Sequence, residues 1–217
     1  MKQFGTAERY LRKADPVLSR LISEVGPCRL GRSKNYFLTL VESIVWQQLS
    51  FKAAVAIHER MLSGLGTRRP HPRDFLLVSP ASLRSAGLSR QKVSFVRDLA
   101  QFFEDGGFPR RRLHRLDDEE IIQLLTGVRG IGRWTAEMFL IFGLNRLDVF
   151  PLGDLGIRKA IGFHYEIADF NDPNRLEPVA DAWRPYRTIA TWYLWQSGDN
   201  TPLRTRRVPA VDSNTHM

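Results

Sequence analysis

Apolar residues recur along this chain at the three-to-four-residue spacing of one helix face, and nowhere with the alternation of a half-buried strand. Tyr36, Phe37, Leu40, Val41, Ile44 and Val45 repeat at i, i+3 and i+4, the pattern of a helix buried on most of its surface. Val17, Leu18, Leu21, Ile22 and Val25 do the same after Asp15-Pro16 restarts the helix that carries Tyr10, Leu11 and Ala14, and Gly26-Pro27 ends the run. Ser50 is placed to cap a helix over 51–62, and the glycines and prolines from Gly64 to Pro72 read as a loop. Ser79-Pro80 opens a short helix that Gly87 closes. Ser89 opens a longer one with Val93, Val96, Leu99, Ala100 and Phe103 inside, and Gly106-Gly107 ends it. Asp117 caps an acidic-headed helix, Asp118-Glu119-Glu120, suited to the positive end of the helix dipole. Further helices are expected over 133–143, 154–162 and 185–197. Val149-Phe150 is too short for a strand. The expectation is an all-α fold without a β domain, one unit of two helical lobes: about 36–115 in one, 1–35 with 116–200 in the other. Residues 199–217, with Arg204, Arg206 and Arg207, are expected to form a loose basic tail.

Charge narrows the function. Lys and Arg number 32 against 23 Asp and Glu, a net charge of +9 in 217 residues. A polyanionic partner is the natural complement, and nucleic acid the commonest one. Of those cations 26 are Arg and 6 are Lys, and Arg forks onto phosphate as Lys does not, although a GC-rich coding sequence also enriches Arg. One cysteine, Cys28, excludes an intramolecular disulfide, a four-cysteine iron–sulfur cluster and a Cys-rich zinc site within this chain. The five histidines show no metal-ligand spacing. No apolar run reaches the roughly 18 residues of a membrane span, and the N-terminus lacks a signal-peptide core. An intracellular protein that keeps away from membranes is expected.

The most informative segment is Leu124-Leu125-Thr126-Gly127-Val128-Arg129-Gly130-Ile131-Gly132-Arg133-Trp134-Thr135-Ala136. A short helix runs into a glycine turn and a second helix leaves it. Gly130 and Gly132 permit close approach of another backbone, and the free N–H groups of a helix start suit a phosphate. Arg129 and Arg133 stand beside the turn. The glycine spacing by itself is equally that of a plain helix–turn–helix joint.

Leu125-x-Gly127 followed by Gly130-Ile131-Gly132-x-x-Thr135-Ala136 resembles the helix-hairpin-helix of the DNA glycosylase superfamily. That superfamily places an Asp at a helix start about twenty residues on, where Val149-Phe150-Pro151-Leu152-Gly153-Asp154 stands here. Upstream, Ile44-Val45-Trp46-Gln47-Gln48-Leu49-Ser50 resembles a Gln-Gln-Leu-Ser segment of its alkylation-repair branch, the 3-methyladenine DNA glycosylase II type. The three motifs occur in order between about residues 36 and 200.

The resemblance implies hydrolysis of the N-glycosidic bond of an alkylated purine in DNA, leaving an abasic site. It makes Asp154 the carboxylate beside the sugar. Read without it, Asp154 is a common helix N-cap. An extruded base needs a pocket, and a cationic base over an indole gains roughly 0.5–2 kcal/mol. Trp134 and Trp195 are implied as pocket walls and Trp46 as a third candidate. Met138 and Leu155 stand where relatives carry pocket aromatics. Each tryptophan is also an ordinary core residue on composition alone. Gln48 or Leu49 is implied as the wedge that fills the emptied stack. Gly130, Gly132, Arg129, Arg133 and Thr135 are implied as contacts to the DNA backbone. Relatives that nick the strand carry a Lys immediately before the hairpin's Thr-Ala; Trp134 holds that place, so lyase chemistry is not expected. No catalytic cofactor is expected. The resemblance does place a Na+ or K+ on the main-chain carbonyls of Thr126, Val128 and Ile131. A monomer acting on damaged DNA is the leading expectation. The alternatives are a non-catalytic DNA-binding protein with the same hairpin, and a glycosylase for other damaged bases.

Overall fold

The computed structural model describes residues 4–33 and 35–198, and the tail expected over 199–217 lies outside them. Among the described residues there is no strand. The chain forms α1 (Gly5–Ala14), α2 (Pro16–Val25), α3 (Tyr36–Trp46), α4 (Phe51–Leu65), α5 (Pro72–Leu77), α6 (Pro80–Ser85), α7 (Arg90–Glu104), α8 (Asp118–Thr126) and α9 (Arg133–Met138). A π-helical turn, Phe139–Gly143, extends α9, and α10 (Leu155–His164), α11 (Pro173–Asp181) and α12 (Arg187–Gln196) follow. No helix among the described residues is long and apolar enough to cross a membrane.

Five of the expected helix starts are capped by a side chain. Asp15, Ser50, Ser79, Ser89 and Asp117 each accept a backbone N–H of the following turn. At Asp117 the cap is reciprocal, because Glu120 reaches back to the Asp117 N–H at 2.7 Å. Two short helices lie outside the expected set. α5 begins at Pro72, inside the expected loop, where Asp74 takes the His71 N–H at 2.7 Å. α11 follows Asp172-Pro173, the same start signal as Asp15-Pro16, and Leu176 and Ala180 bury its inner side. At six and nine residues, both are too short for a clear apolar period. The helix expected over 133–143 changes its winding at Phe139, and the last helix begins at Arg187 rather than at 185.

α3 is the axis of the molecule. Leu40, Val41, Ile44 and Val45 on it are fully buried. On one side it packs with α4 and α7, and α5 and α6 lie against α7. On the other side it meets α9 and the π-helical turn. α1, α2, α10 and α12 pack together, and one continuous apolar core runs through both groups.

Buried carboxylates tie the second group together. The Asp15 Oδ1 caps α2 through the N–H groups of Val17 (2.9 Å) and Leu18 (3.0 Å). Its Oδ2 accepts the Tyr165 hydroxyl at 2.7 Å and the Trp183 indole N–H at 2.8 Å. Asp15 thus links the α1–α2 corner to the segments that end α10 and follow α11. Glu8 accepts the Cys28 N–H at 2.7 Å and the Tyr193 hydroxyl at 3.1 Å, and so joins α1 to α12. Asp15→Ala removes a cap and strands two buried donors. An unfolding titration in urea should show a loss of about 4 kcal/mol, from roughly 1 for the cap and 1–3 per orphaned donor. A loss below about 1 kcal/mol would show that these contacts do not hold the corner.

Candidate active site

Asp154 ends a tight turn in which the Leu152 N–H reaches Phe150 O and the Asp154 N–H reaches Pro151 O, both at 2.9 Å. This turn delivers the side chain to the N-terminus of α10. There Oδ1 accepts the Ile157 N–H at 2.9 Å. Two indoles complete the hold: Trp134 Nε1 donates to Oδ2 at 2.8 Å, and Trp195 Nε1 donates to Oδ1 at 3.2 Å. The donors come from α9, α10 and α12, and all three are neutral N–H groups. The carboxylate remains half-buried and lines an open cleft of about 740 Å³.

The sequence-predicted pocket residues divide around that cleft. Trp46, Trp134 and Leu155 line it, and Leu155 is largely exposed. Trp195 stands behind the carboxylate rather than in the wall. It is buried, with its ring nearly parallel to Phe142 at 5.6 Å. Met138 is not brought to the cleft. Met138 lies on the same face of α9 as Trp134 but one turn further along the helix, where it is buried in the apolar core.

The opposite wall is the loop from Trp46 to Ser50, between α3 and α4. The Gln47 carboxamide donates to Gly130 O at 2.9 Å and to the Thr135 hydroxyl at 3.0 Å, which ties this loop to the hairpin. Lys92, at the start of α7, donates to Val45 O at 2.8 Å and to Gln47 O at 2.7 Å. It thereby satisfies carbonyls that the end of α3 leaves without helical partners. Burial holds the Lys92 ammonium below the usual lysine pKa. Between these anchors Gln48 adopts the left-handed conformation, at φ +56°, which a non-glycine residue enters at a cost of about 1–2 kcal/mol. Both candidate wedge residues, Gln48 and Leu49, are exposed at the cleft.

In the hairpin the two glycines do different work. Gly130 sits at φ +88°, and a Cβ there would overlap the Phe95 ring, so the fold itself demands glycine. A Cβ on Gly132 meets nothing within 4 Å. Gly132 precedes α9, has no side-chain cap and lines the cleft. The fold leaves its bareness unexplained, and an approaching ligand backbone would explain it. Thr135 is only 1% exposed, and its hydroxyl is engaged by Gln47. That is a bracing role and leaves little of it to meet DNA directly. Arg129 is paired with Asp98 at 2.6 Å and bonded to Ser94. Arg133 forks onto Glu119 at 3.0 and 2.9 Å and touches Glu137 at 3.2 Å. Both guanidiniums are exposed, yet each already has a carboxylate, so a phosphate would have to compete for it.

Gln47, Lys92 and Glu137 were not among the sequence-predicted site residues. Gln47 stands within the Gln-Gln motif, so its position was visible and its bracing role was not. Lys92 acts across 45 residues on backbone atoms, which leaves no pattern in the sequence. Glu137 lies on the buried side of α9. Burial pushes its carboxyl up to about 7; Arg133 pulls it back, while Glu119 and Asp154 push the same way as burial.

Residues 41–185 match the model of the HhH-GPD superfamily of base excision DNA repair proteins. The chain is 35% identical to DNA-3-methyladenine glycosylase 1 of Schizosaccharomyces pombe over 88% of its own length and 86% of the relative's. Among solved structures it is similar to a 3-methyladenine DNA glycosylase of Schizosaccharomyces pombe in complex with abasic DNA. The TM-score is 0.81 at 34% identity, over 88% of this chain and 96% of that one. A DNA-3-methyladenine glycosidase from Bacillus halodurans is similar at a TM-score of 0.71 and 36% identity, over 87% of this chain and 86% of that one. The extent of these matches and the placing of Asp154 beside the hairpin agree: the chain belongs to the HhH-GPD superfamily of base excision DNA repair proteins.

Proposed function

We propose that this protein is a monofunctional DNA glycosylase that releases alkylated purines, 3-methyladenine among them, and leaves an abasic site. The observation that carries the reading is the Asp154 carboxylate, fixed by Trp134, Trp195 and the Ile157 N–H at the rim of an open cleft. The relatives named DNA-3-methyladenine glycosylase supply the substrate class.

The chemistry follows from that placement. A base inside a duplex is out of reach, so the target nucleotide turns out into the cleft between Trp46 and Trp134. Gln48 or Leu49 enters the vacated stack, on a loop that Gln47 and Lys92 hold rigid. As the C1′–N bond breaks, its electron pair leaves with the base, and an alkylated cationic base departs neutral. Positive charge then develops on the sugar, and the Asp154 carboxylate stabilises it. Water adds at C1′ and gives up a proton as the abasic sugar forms. The free N–H groups at Gly132 and the start of α9 receive a DNA phosphate. A monovalent cation on the carbonyls of Thr126, Val128 and Ile131 would stiffen this turn. Val128 O accepts only the Ile131 N–H, at 3.0 Å, among its described bonds, which leaves a lone pair for such an ion. All of these groups belong to one chain, so a monomer suffices.

Two outcomes test the reading, and a third tests the electrostatics beside the hairpin. Asp154→Asn should lower release of 3-methyladenine from methylated DNA at least 100-fold while lesion-DNA binding persists. A carboxamide has a single acceptor oxygen, so it cannot satisfy all three N–H donors. Undiminished release would remove Asp154 from the mechanism. Borohydride treatment during turnover should trap no protein–DNA adduct, because Trp134 offers no amine for a Schiff base; a trapped adduct would establish lyase chemistry.

The third outcome concerns Glu137. Its raised pKa means that the folded protein holds this proton more tightly than the unfolded chain. The associated stability is therefore present below about pH 4.5 and is lost as pH rises through about 7. Glu137→Gln should raise the melting temperature at pH 8 and approach the wild type near pH 5. Equal melting temperatures at both pH values would refute the raised pKa.

A further inference from the structure

Some of the cations without a carboxylate partner among the described residues lie away from the cleft. At the hairpin, Arg129 and Arg133 each have a carboxylate partner. At the other end of α3 a second cavity opens, of about 840 Å³, between Tyr36, the segment 68–72 and the end of α7. Arg68, Arg69, His71 and Arg110 line it, and no carboxylate does. Its floor is aromatic: Phe103 stacks on Phe108 at 4.2 Å, and the Arg110 guanidinium lies 5.7 Å from the centre of the Tyr36 ring. Arg68 is held by Glu59 at 2.6 Å. Among the described residues the side chains of Arg69 and Arg110 have no hydrogen bond or ion pair. The same is true of Arg111 and Arg112, exposed in the turn that continues from Arg110.

This cavity shares no lining residue with the cleft. Lys92 braces the cleft loop from the start of α7, and Phe103 lies at the cavity near the end of that helix. Eleven residues of helix rise, about 16 Å, separate Lys92 from Phe103, so the two openings lie towards opposite ends of α3 and α7.

We propose that this cavity and the arginine turn beside it form a second DNA-backbone site, which holds a phosphodiester segment of a duplex other than the one in the cleft. A guanidinium laid on an aromatic ring keeps its N–H fork free at the edge, and that fork matches a phosphate with two parallel hydrogen bonds. Four arginines without a carboxylate partner in one exposed region would repel one another, and regularly spaced phosphates relieve this. A second segment held here keeps the protein on DNA while the cleft samples bases, through contacts that carry no sequence information. The usefulness of the site rests on the glycosylase reading above; the binding itself does not.

The experiment uses unmodified 12-base-pair duplexes carrying donor or acceptor dyes, so that no base release is involved. Wild-type protein should bring two duplexes together and raise energy transfer. The variant Arg69→Ala/Arg110→Ala/Arg112→Ala, with all three changes at exposed positions and its melting temperature checked against wild type, should abolish that signal. Its slope of log affinity against log salt should be shallower by about 2–3, at about 0.9 per phosphate. Single-turnover base release from a short lesion duplex at saturating protein should stay within about twofold of wild type. Asp154→Asn should bridge as wild type does, so a failure of the catalytic reading is distinguishable from a failure of this one. Wild-type protein that never bridges, a triple variant with an unchanged salt slope, or base release that falls in step with binding would each overturn the proposal. So would an oligoglutamate peptide that occupies the cavity when duplex DNA does not.

Discussion

One carboxylate organises the site. The Asp154 oxygens take N–H donors from the indole of α9, the indole of α12 and the backbone of α10, and the two indoles lie 20 and 41 residues from Asp154 along the chain. A carboxylate held only by neutral donors stays available to a positive charge arriving from the cleft, whereas a paired arginine would cancel it. The cost is that three helices must hold their relative positions to within a hydrogen-bond length. The buried ties of Asp15 and Glu8 serve that need, because they fix α1, α2, α10 and α12 to one another.

The other half of the cleft is built by backbone satisfaction. α3 ends with carbonyls that need donors, and Lys92 supplies them from α7. Gln47 then spends its carboxamide on the hairpin. Between these two anchors Gln48 holds the left-handed conformation. A rigid loop that carries exposed Gln48 and Leu49 is the kind of support a wedge needs. The neutralised arginines of the hairpin fit the same division of labour: they brace α8 and α7 against the turn, while uncovered N–H groups remain at Gly132.

Much of this was legible before any coordinates. Buried helices with long apolar periods, such as α3 and α7, announce themselves, and so do the starts at Asp15-Pro16, Ser79-Pro80 and Ser89, whereas the Asp172-Pro173 start of α11, before a short helix, does not. Nor does α5, because six residues hold fewer than two turns of period and a His, not the Ser that marks α6, precedes its proline. Asp154 and the tryptophans could be singled out by motif and chemistry. Nothing in the motif distinguished Trp134, which lines the cleft and grips the carboxylate, from Trp195, which grips it from behind. Spacing puts Met138 on the same face of α9 as Trp134, which lies four residues before it; that the core covers it one turn beyond the cleft depends on tertiary packing.

Local order along the chain determined the helical class, most helix boundaries, the hairpin and the presence of an Asp at a helix start, because capping, glycine conformation and apolar period act over a few residues. Partnership was decided only in three dimensions. Which indoles reach Asp154, which carbonyls Lys92 closes and which arginines remain without a carboxylate all depend on contacts between distant segments. Hydrogen bonds and ion pairs fall off over a few ångströms of space, whatever the separation along the chain.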